Sequence, residues 1–382
     1  MKQVLVFGST GSVGRSALEV IRNDSKNFKV AGLCAYGDIK TLYSQVKEFN
    51  PKYVCVVDEH KVKRFSVLSK SKHKLFSGFK GLEEFSSLNC DISVMAISGI
   101  SCLKPLLINI EHTKRIALAN KESIVAAGKI VFERAKKYKA EIIPVDSEIN
   151  ALFQLINSHG AKMLKFKKVY LTASGGSLAG YKRKDFCGIK VKDVLSHPTW
   201  RMGKRITVDC ATLVNKGFEA VETHHFFNIP YERIDILLHK ESFVHGLVEF
   251  EDSTIFACIY PPDMKMPISH AFYYPLRNCL SLSGGIRDGL SWSFSPLLYK
   301  NYPLLNIILE GAKRKDNSLI VINACDEVAV DAFVKGKIKF IDIYKALEFL
   351  FEIYPKKGIN GINDVFYWDN WGRIKTKEFL KL

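Results

Sequence analysis

Three groups of side chains have the types and spacing to do chemistry. Pro144-Val145-Asp146-Ser147-Glu148-Ile149-Asn150 puts two acids two residues apart just after a strand-like run. In an extended chain both carboxylates leave one face, a workable site for a hard cation. The competing reading is a helix N-cap, with Asp146 or Ser147 capping a helix over 149–156. A third acid closes the run Val208-Asp209-Cys210-Ala211-Thr212-Leu213-Val214-Asn215-Lys216-Gly217-Phe218-Glu219. On a helix Asn215 and Glu219 stand one turn apart beside Lys216, a set suited to holding metal and a phosphorylated substrate together. The residues alone slightly favour a plain surface pair, Lys216–Glu219. The third group is Gly8-Ser9-Thr10-Gly11-Ser12-Val13-Gly14, between strand-like Val4–Phe7 and a helix. Its glycines allow a tight turn and close approach of the backbone to a pyrophosphate facing the helix N-terminus.

Two further segments bear on these groups. His197-Pro198-Thr199-Trp200-Arg201-Met202-Gly203 lies between the turn Ser174-Gly175-Gly176-Ser177 and the Asn215 helix, and reads as a lid over a ligand. Glu222 and His225 have helical ligand spacing, but Phe226 and Phe227 beside them argue for helix packing. Cys34-Ala35-Tyr36-Gly37-Asp38 ends the second strand, where an acid binds the ribose 2′-hydroxyl of NAD or a base the 2′-phosphate of NADP. Asp38 points weakly to the first and Lys40 is within reach of the second, so the residues leave the choice open.

The elements that must position these groups fall into an α/β pattern. Strand-like Val4–Phe7, Val30–Ala35, Tyr53–Val57, Ile92–Ala96, Ile116–Ala119 and Glu141–Val145 alternate with helical 12–22, 39–49 and 124–138, the mark of βαβ units and a mainly parallel sheet. Beyond Val169 the runs 169–173, 205–209, 235–238, 246–251 and 253–259 read as strands of a second, α+β domain. Residues 278–292 read as a connector, and 302–313, 326–335 and 340–354 as helices.

Composition narrows the class. The 382 residues exceed one core, and a 47% hydrophobic fraction excludes long disorder. No apolar run approaches a membrane span and the first residues do not form a signal peptide, so a cytoplasmic protein is expected. Nine scattered cysteines without a C-x-x-C pair argue against disulfides or a thiolate zinc site. The net charge of +17 is spread along the chain, which favours a solvated basic surface over a nucleic-acid module.

Taken together, Gly8–Gly14, Leu118-Ala119-Asn120-Lys121-Glu122-Ser123, Pro144–Glu148, His197–Gly203 and Asn215–Glu219 resemble, in order, the motifs of the 1-deoxy-D-xylulose 5-phosphate reductoisomerases of the non-mevalonate isoprenoid pathway. The match extends to Asn323-Ala324-Cys325-Asp326-Glu327-Val328-Ala329-Val330 and so spans essentially the whole chain. The resemblance implies a Rossmann-like NADPH-binding domain over 1–146, a catalytic and dimerisation domain over 147–275 with its lid at about 174–204, a connector over 276–296 and a helical domain over 297–382. It implies a homodimer, with neither nucleic-acid nor membrane partner.

For the site, the resemblance implies that Asp146, Glu148 and Glu219 hold one divalent cation, Mg²⁺, Mn²⁺ or Co²⁺. That cation would chelate the carbonyl and hydroxyl oxygens of a small phosphorylated sugar. The carbon skeleton would rearrange by retro-aldol cleavage and re-aldolisation, and NADPH would reduce the aldehyde. Lys121 would stabilise developing negative charge. Ser147, Glu148, Ser174, His197, Trp200, Met202, Cys210, Asn215, Lys216 and Glu219 would hold substrate. Thr10, Gly11, Ser12, Val13, Gly37, Asp38, Asn120, Lys121, Glu122 and Gly203 would contact the cofactor. The chain departs from the family in three places. Cys210 replaces a phosphate-binding serine, Cys102 a glycine, and Tyr36-Gly37-Asp38 the usual glycine, variable and often basic residue, and asparagine.

Overall fold

The computed structural model describes residues 1–69, 73–157, 165–181, 183–196, 200, 203–277 and 291–382. His197, Met202 and most of the expected connector lie outside the described residues. The chain divides into two compact units. The first comprises Met1–Ser123, Val131–Asn150 and the described part of Asp263–Ser281.

This unit runs β1 (Lys2–Phe7), α1 (Ser12–Asn23), β2 (Phe28–Ala35), α2 (Ile39–Phe49), β3 (Tyr53–Val56), α3 (Glu59–Ser69), β4 (Lys74–Ser77), α4 (Gly78–Ser86), β5 (Cys90–Met95), α5 (Leu103–Asn109), β6 (Thr113–Leu118), α6 (Lys121–Tyr138, of which Ile124–Ile130 belong to the second unit) and β7 (Glu141–Pro144). The strands form one parallel sheet in the order β4-β3-β2-β1-β5-β6-β7. A parallel sheet is covered on both faces, so its central strands must be apolar throughout; Val4, Leu5, Val6 and Phe7 are fully buried. The strand order reverses between β1 and β5, and a crevice for a ligand opens outside their carboxyl ends at such a reversal. Gly8 and the 96–99 segment sit there.

The second unit comprises Ile124–Ile130, Ala151–Pro262 and the described part of Leu282–Leu382. It contains most of α7 (Ser147–Ile156), then β8 (Phe166–Ala173), α8 (Val191–Val194), α9 (Lys204–Thr212), α10 (Val214–Phe227), β9 (Ile234–Leu238), β10 (Val244–Phe250) and β11 (Ile255–Ile259). The chain then returns to the first unit as α11 (Lys265–Tyr273), where Phe272 packs 5.1 Å from Phe28 and Arg115 reaches the Phe272 carbonyl at 3.3 Å. It re-enters the second unit with β12 (Ser295–Pro296), α12 (Pro303–Arg314), α13 (Ser318–Val334), α14 (Phe340–Ile353) and α15 (Ile362–Leu380). Its sheet is mixed, in the order β11-β10-β8-β9-β12, with β8 and β9 parallel and the other pairs antiparallel.

One expected strand is a helix. Arg205-Ile206-Thr207-Val208-Asp209 alternates apolar and polar residues and is rich in β-branched side chains, yet it lies within α9. Tertiary contacts override that local preference: Val208 and Ala211 enter the core that α13 also fills, and Arg205 anchors α9 to α13. Its guanidinium lies 3.2 Å from Asp326, 3.0 Å from Glu327 and 3.6 Å from Asp209, with the Asn323 amide oxygen at 3.2 Å. Arg373 on α15 bonds Glu327 and lies 2.7 Å from Asp369, which extends the network.

Two measurements follow from the buried charges. Arg205→Met removes a counter-charge from Asp326 and Asp209, so unfolding free energy should drop by roughly 3–5 kcal/mol in a urea titration; an unchanged midpoint would rule the network out as a clamp. His225 and His270 are each lowered to about 4, chiefly by burial, helped by His224 for the first and by Arg277 and Arg115 for the second. Both are therefore neutral when folded and take up protons on unfolding. Their contribution is intact above pH 6.5 and is lost as pH falls toward 4, by up to about 3 kcal/mol per histidine. His225→Gln should flatten that pH dependence.

Candidate active site

The phosphate loop is held by its backbone. Gly8 has φ +75°, and a Cβ there would lie 2.4 Å from the Ala96 carbonyl oxygen across the strand reversal. A Cβ on Gly14 would lie 2.3 Å from the Gly8 oxygen. The loop is pinned from the side by Gln45 on α2: the buried Ser9 hydroxyl donates to Gln45 Oε1 at 2.8 Å, and Gln45 Nε2 donates to the Ser9 carbonyl at 2.8 Å. Gln45 belongs to no motif. The one signal for it is a polar side chain on the buried face of α2, beside Leu42 and Val46. Gly11 is the N-cap of α1 and no side chain caps that helix, so the first-turn N–H groups are left for an anion. Thr10 and Val13 are half-buried, and Gly11 and Ser12 exposed.

Across the reversal, Asn120 is the buried N-cap of α6. Its Oδ1 accepts from Ser123 N at 2.9 Å, while its amide donates to the carbonyls of Ile97 and Gly99 at 2.9 and 3.0 Å and to Glu122 at 2.8 Å. Glu122 accepts in turn from Gly99 N at 3.2 Å. These two residues therefore shape the wall opposite the glycine loop. Cys102 in the same wall is fully buried, and burial pushes its thiol up.

Asp38 is the N-cap of α2, its carboxylate accepting from Thr41 N at 3.2 Å. The hydrogen bond from the Thr41 side chain, the neighbouring backbone N–H groups and the Arg15 charge together hold it below the usual carboxylate range. Gly37 faces Asp58, in the next β–α connection, and Lys61, in the first turn of α3.

Both acids of the Asp146–Glu148 motif are present at the start of α7, but not on extended chain. Asp146 precedes the helix and accepts from Glu148 N at 3.2 Å and Ile149 N at 3.4 Å, so the capping role is real, and Glu148 occupies the first turn, bonded by the Ser147 hydroxyl. Lys121 Nζ lies 2.6 Å from Asp146 Oδ2, with the lysine 6% exposed. Asn150 holds the strand end through the Pro144 carbonyl at 2.7 Å.

In the second unit, Asn215, Lys216 and Glu219 lie on α10. Both the Asn215 amide and the Lys216 ammonium donate to the Glu219 carboxylate. The expected surface pair is instead buried, with Lys216 4% and Glu219 1% exposed. Gly176, at φ +67°, lies against α9: a Cβ there would meet the Cys210 carbonyl oxygen at 2.7 Å. Ser174 accepts from Gly176 N at 3.2 Å. The Trp200 and His245 rings meet edge to face with their centroids 6.1 Å apart, and Gly203 is the N-cap of α9. His225 serves helix packing, since its ring fills the space where a Gly128 side chain would sit, 2.6 Å from its Cβ position, and Glu222 is buried on the same helix.

Family models for 1-deoxy-D-xylulose 5-phosphate reductoisomerase match residues 4–128, those for its C-terminal domain match 142–227, and a second C-terminal domain model matches 259–375. A reductoisomerase of Thermodesulfovibrio yellowstonii is 40% identical over 99% of both chains, and one of Wolbachia pipientis is 37% identical over 100% of this chain and 98% of its own. The chain belongs to the 1-deoxy-D-xylulose 5-phosphate reductoisomerase family. The Zymomonas mobilis reductoisomerase, solved in complex with NADPH, superposes with a TM-score of 0.89 at 32% identity over 99% of both chains. A reductoisomerase solved with NADPH, fosmidomycin and magnesium reaches 0.93 at 31% identity, over 100% of this chain and 99% of that one. The reductoisomerase fold is thus shared along the whole length.

Gly8→Ala should be the most damaging single-methyl change in this reductoisomerase's first unit, because φ and the Ala96 contact both exclude it. Gln45→Leu leaves the buried Ser9 hydroxyl and carbonyl without their partner and should cost about 1–3 kcal/mol in a denaturant titration. Unchanged stability in Gln45→Leu would show that the clamp is dispensable.

Proposed function

We propose that the protein rearranges and reduces 1-deoxy-D-xylulose 5-phosphate to 2-C-methyl-D-erythritol 4-phosphate, with NADPH and one divalent cation, in isoprenoid precursor biosynthesis. The observation that carries this reading is a pair of interior carboxylates, Asp146 and Glu219, each matched to a lysine. Interior charge of this kind is costly unless it has work to do or a partner to balance it.

Asp146, Glu148 and Glu219 would hold the cation, an all-oxygen donor set that suits Mg²⁺, Mn²⁺ or Co²⁺. When bound, the cation supplies Lewis-acid polarisation of the ketone and NADPH supplies hydride. The chain's own groups do the rest. Lys121, beside Asp146, would balance negative charge on the reacting oxygens. Lys216 and Asn215 orient Glu219 and offer donors to the substrate's phosphate and hydroxyls. Ser147, Ser174, His197, Trp200, Met202 and the Cys210 segment would complete the substrate pocket, with the Cys210 thiol a weaker donor than a hydroxyl. Thr10 to Val13 would cradle the pyrophosphate, with Gly37, Asp38, Asn120, Glu122 and Gly203 around the rest of the cofactor.

We also place the enzyme in the cytoplasm as a homodimer. The described cysteines make no disulfide, in keeping with a reducing compartment. Among the described residues no helix is long and apolar enough to cross a membrane. The dimer is supported by β11, an edge strand that leaves Ile255 54%, Phe256 36% and Ile259 41% exposed, an apolar edge that a second copy can cover.

The direct test follows NADPH absorbance with 1-deoxy-D-xylulose 5-phosphate after EDTA treatment and after Mg²⁺ or Mn²⁺ is restored. Metal-dependent oxidation is expected, and Glu219→Gln should lower it by roughly a hundredfold or more. Folded protein that oxidises no NADPH with metal present would refute the assignment. Light scattering should give twice the chain mass, and Phe256→Glu should shift it toward the monomer.

A further inference from the structure

We propose that Lys61, supported by Arg15, forms the site for the 2′-phosphate of NADPH, so that the preference for the phosphorylated cofactor is set from the first turn of α3 and not by the tip of β2. The proposal rests on the NADPH reading above and deepens it. In a doubly wound sheet the adenosine ribose lies at the end of the second strand, here Ala35-Tyr36-Gly37-Asp38. An acid at that place ordinarily takes the ribose hydroxyls and repels a 2′-phosphate. Asp38 has Oδ1 committed to the first turn of α2, where Thr41 N donates to it, so a cation at the ribose must offset its charge for a 2′-phosphate to bind.

Gly37 is the opening. A Cβ on it would lie 3.0 Å from Lys61 Nζ and 3.1 Å from Asp58 Oδ2, so the space that a side chain at 37 would fill is taken by the Lys61 ammonium. Lys61 is held in this place by the backbone. Val57 N donates to Ala35 O at 3.0 Å and Asp58 N to Tyr36 O at 2.8 Å, which fastens the end of β3 along the end of β2. Lys61 N then donates to Asp58 O at 3.0 Å, and Lys61 Nζ stands 3.6 Å from Asp58 Oδ2.

Asp58 pairs with this cation and fixes its place: Oδ2 lies 3.6 Å from Lys61 Nζ, and Oδ1 accepts from His60 N at 3.2 Å. About half of the Lys61 side chain remains open to solvent, so the ammonium can still take a phosphate. Arg15, in the first turn of α1, is exposed and close enough to Asp38 to act on its charge. Two cations thus flank the ribose position while its acid is engaged in a helix cap. A 2′-hydroxyl gains little from a cation, whereas a phosphate gains a charge-assisted contact.

The test is isothermal titration of 2′,5′-ADP and, separately, of 5′-AMP, which lacks the 2′-phosphate, into the full-length protein and its Lys61→Met and Lys61→Arg variants. Wild type should prefer 2′,5′-ADP. Lys61→Met should weaken 2′,5′-ADP roughly tenfold, as expected for one partly solvated ion pair, and leave 5′-AMP within about twofold. Lys61→Arg should keep the preference, and Lys61→Met with Arg15→Met should abolish it. If Lys61→Met keeps the wild-type preference, or weakens both ligands alike, the Lys61 assignment is wrong while the NADPH reading stands. If wild type itself shows no preference for 2′,5′-ADP, the NADPH reading fails first.

Discussion

An ionised carboxylate taken out of water must be given a counter-charge, and much of this structure answers that requirement. Asp146 has Lys121, and Glu219 has Lys216 and the Asn215 amide. The groups that supply the counter-charge come from helix starts and from adjacent turns of one helix, where backbone geometry fixes the spacing. Lys121 is the first residue of α6 and Glu148 lies in the first turn of α7, both directly after parallel strands. The strand ends thus place the charges, and the helices hold them. The same requirement, met without chemistry, explains Arg205 and Arg373 among the acids of α9, α13 and α15.

The glycine loop is governed by the opposite limit, space and not charge. Gly8 and Gly14 are required where backbone meets backbone, and the carbonyl of Ala96 marks how closely β1 and β5 approach at the strand reversal. That approach leaves the α1 N-terminus facing the crevice. Asn120 and Glu122 tie the opposite wall through three separate backbone groups, so both sides of the nucleotide crevice are rigid before any ligand arrives. Rigidity of this kind limits the entropy lost on binding.

Periodicity made β1 through α2 and the helices α12 to α14 legible, because alternation and 3.6-residue spacing are local properties, but it gave no sign of α15. It failed at α3, whose run of Lys61, Lys63 and Arg64 hides a weak apolar face, and at α9, where Ile206 and Val208 alternate as a strand would. It also missed the short β4 and α4, which only neighbouring strands and helices stabilise. The site was legible as motifs but not as environments. Nothing local told that Lys216–Glu219 is buried, that Asp146, besides capping α7, meets Lys121, or that Asp38 turns into its own helix. Gln45 and Lys61 belong to no motif at all. Their importance arises from what the fold sets beside them, Ser9 in one case and Gly37 in the other.

The central claim is that Asp146, Glu148 and Glu219 share one cation. Electron paramagnetic resonance of Mn²⁺ titrated into the protein without substrate or NADPH tests it most directly, with near-ultraviolet circular dichroism as the control for folding. One tightly held Mn²⁺ per chain is predicted for the wild type, with the bound signal lost in both Asp146→Asn and Glu219→Gln. Folded variants that each still hold one Mn²⁺ as tightly as wild type would contradict the account.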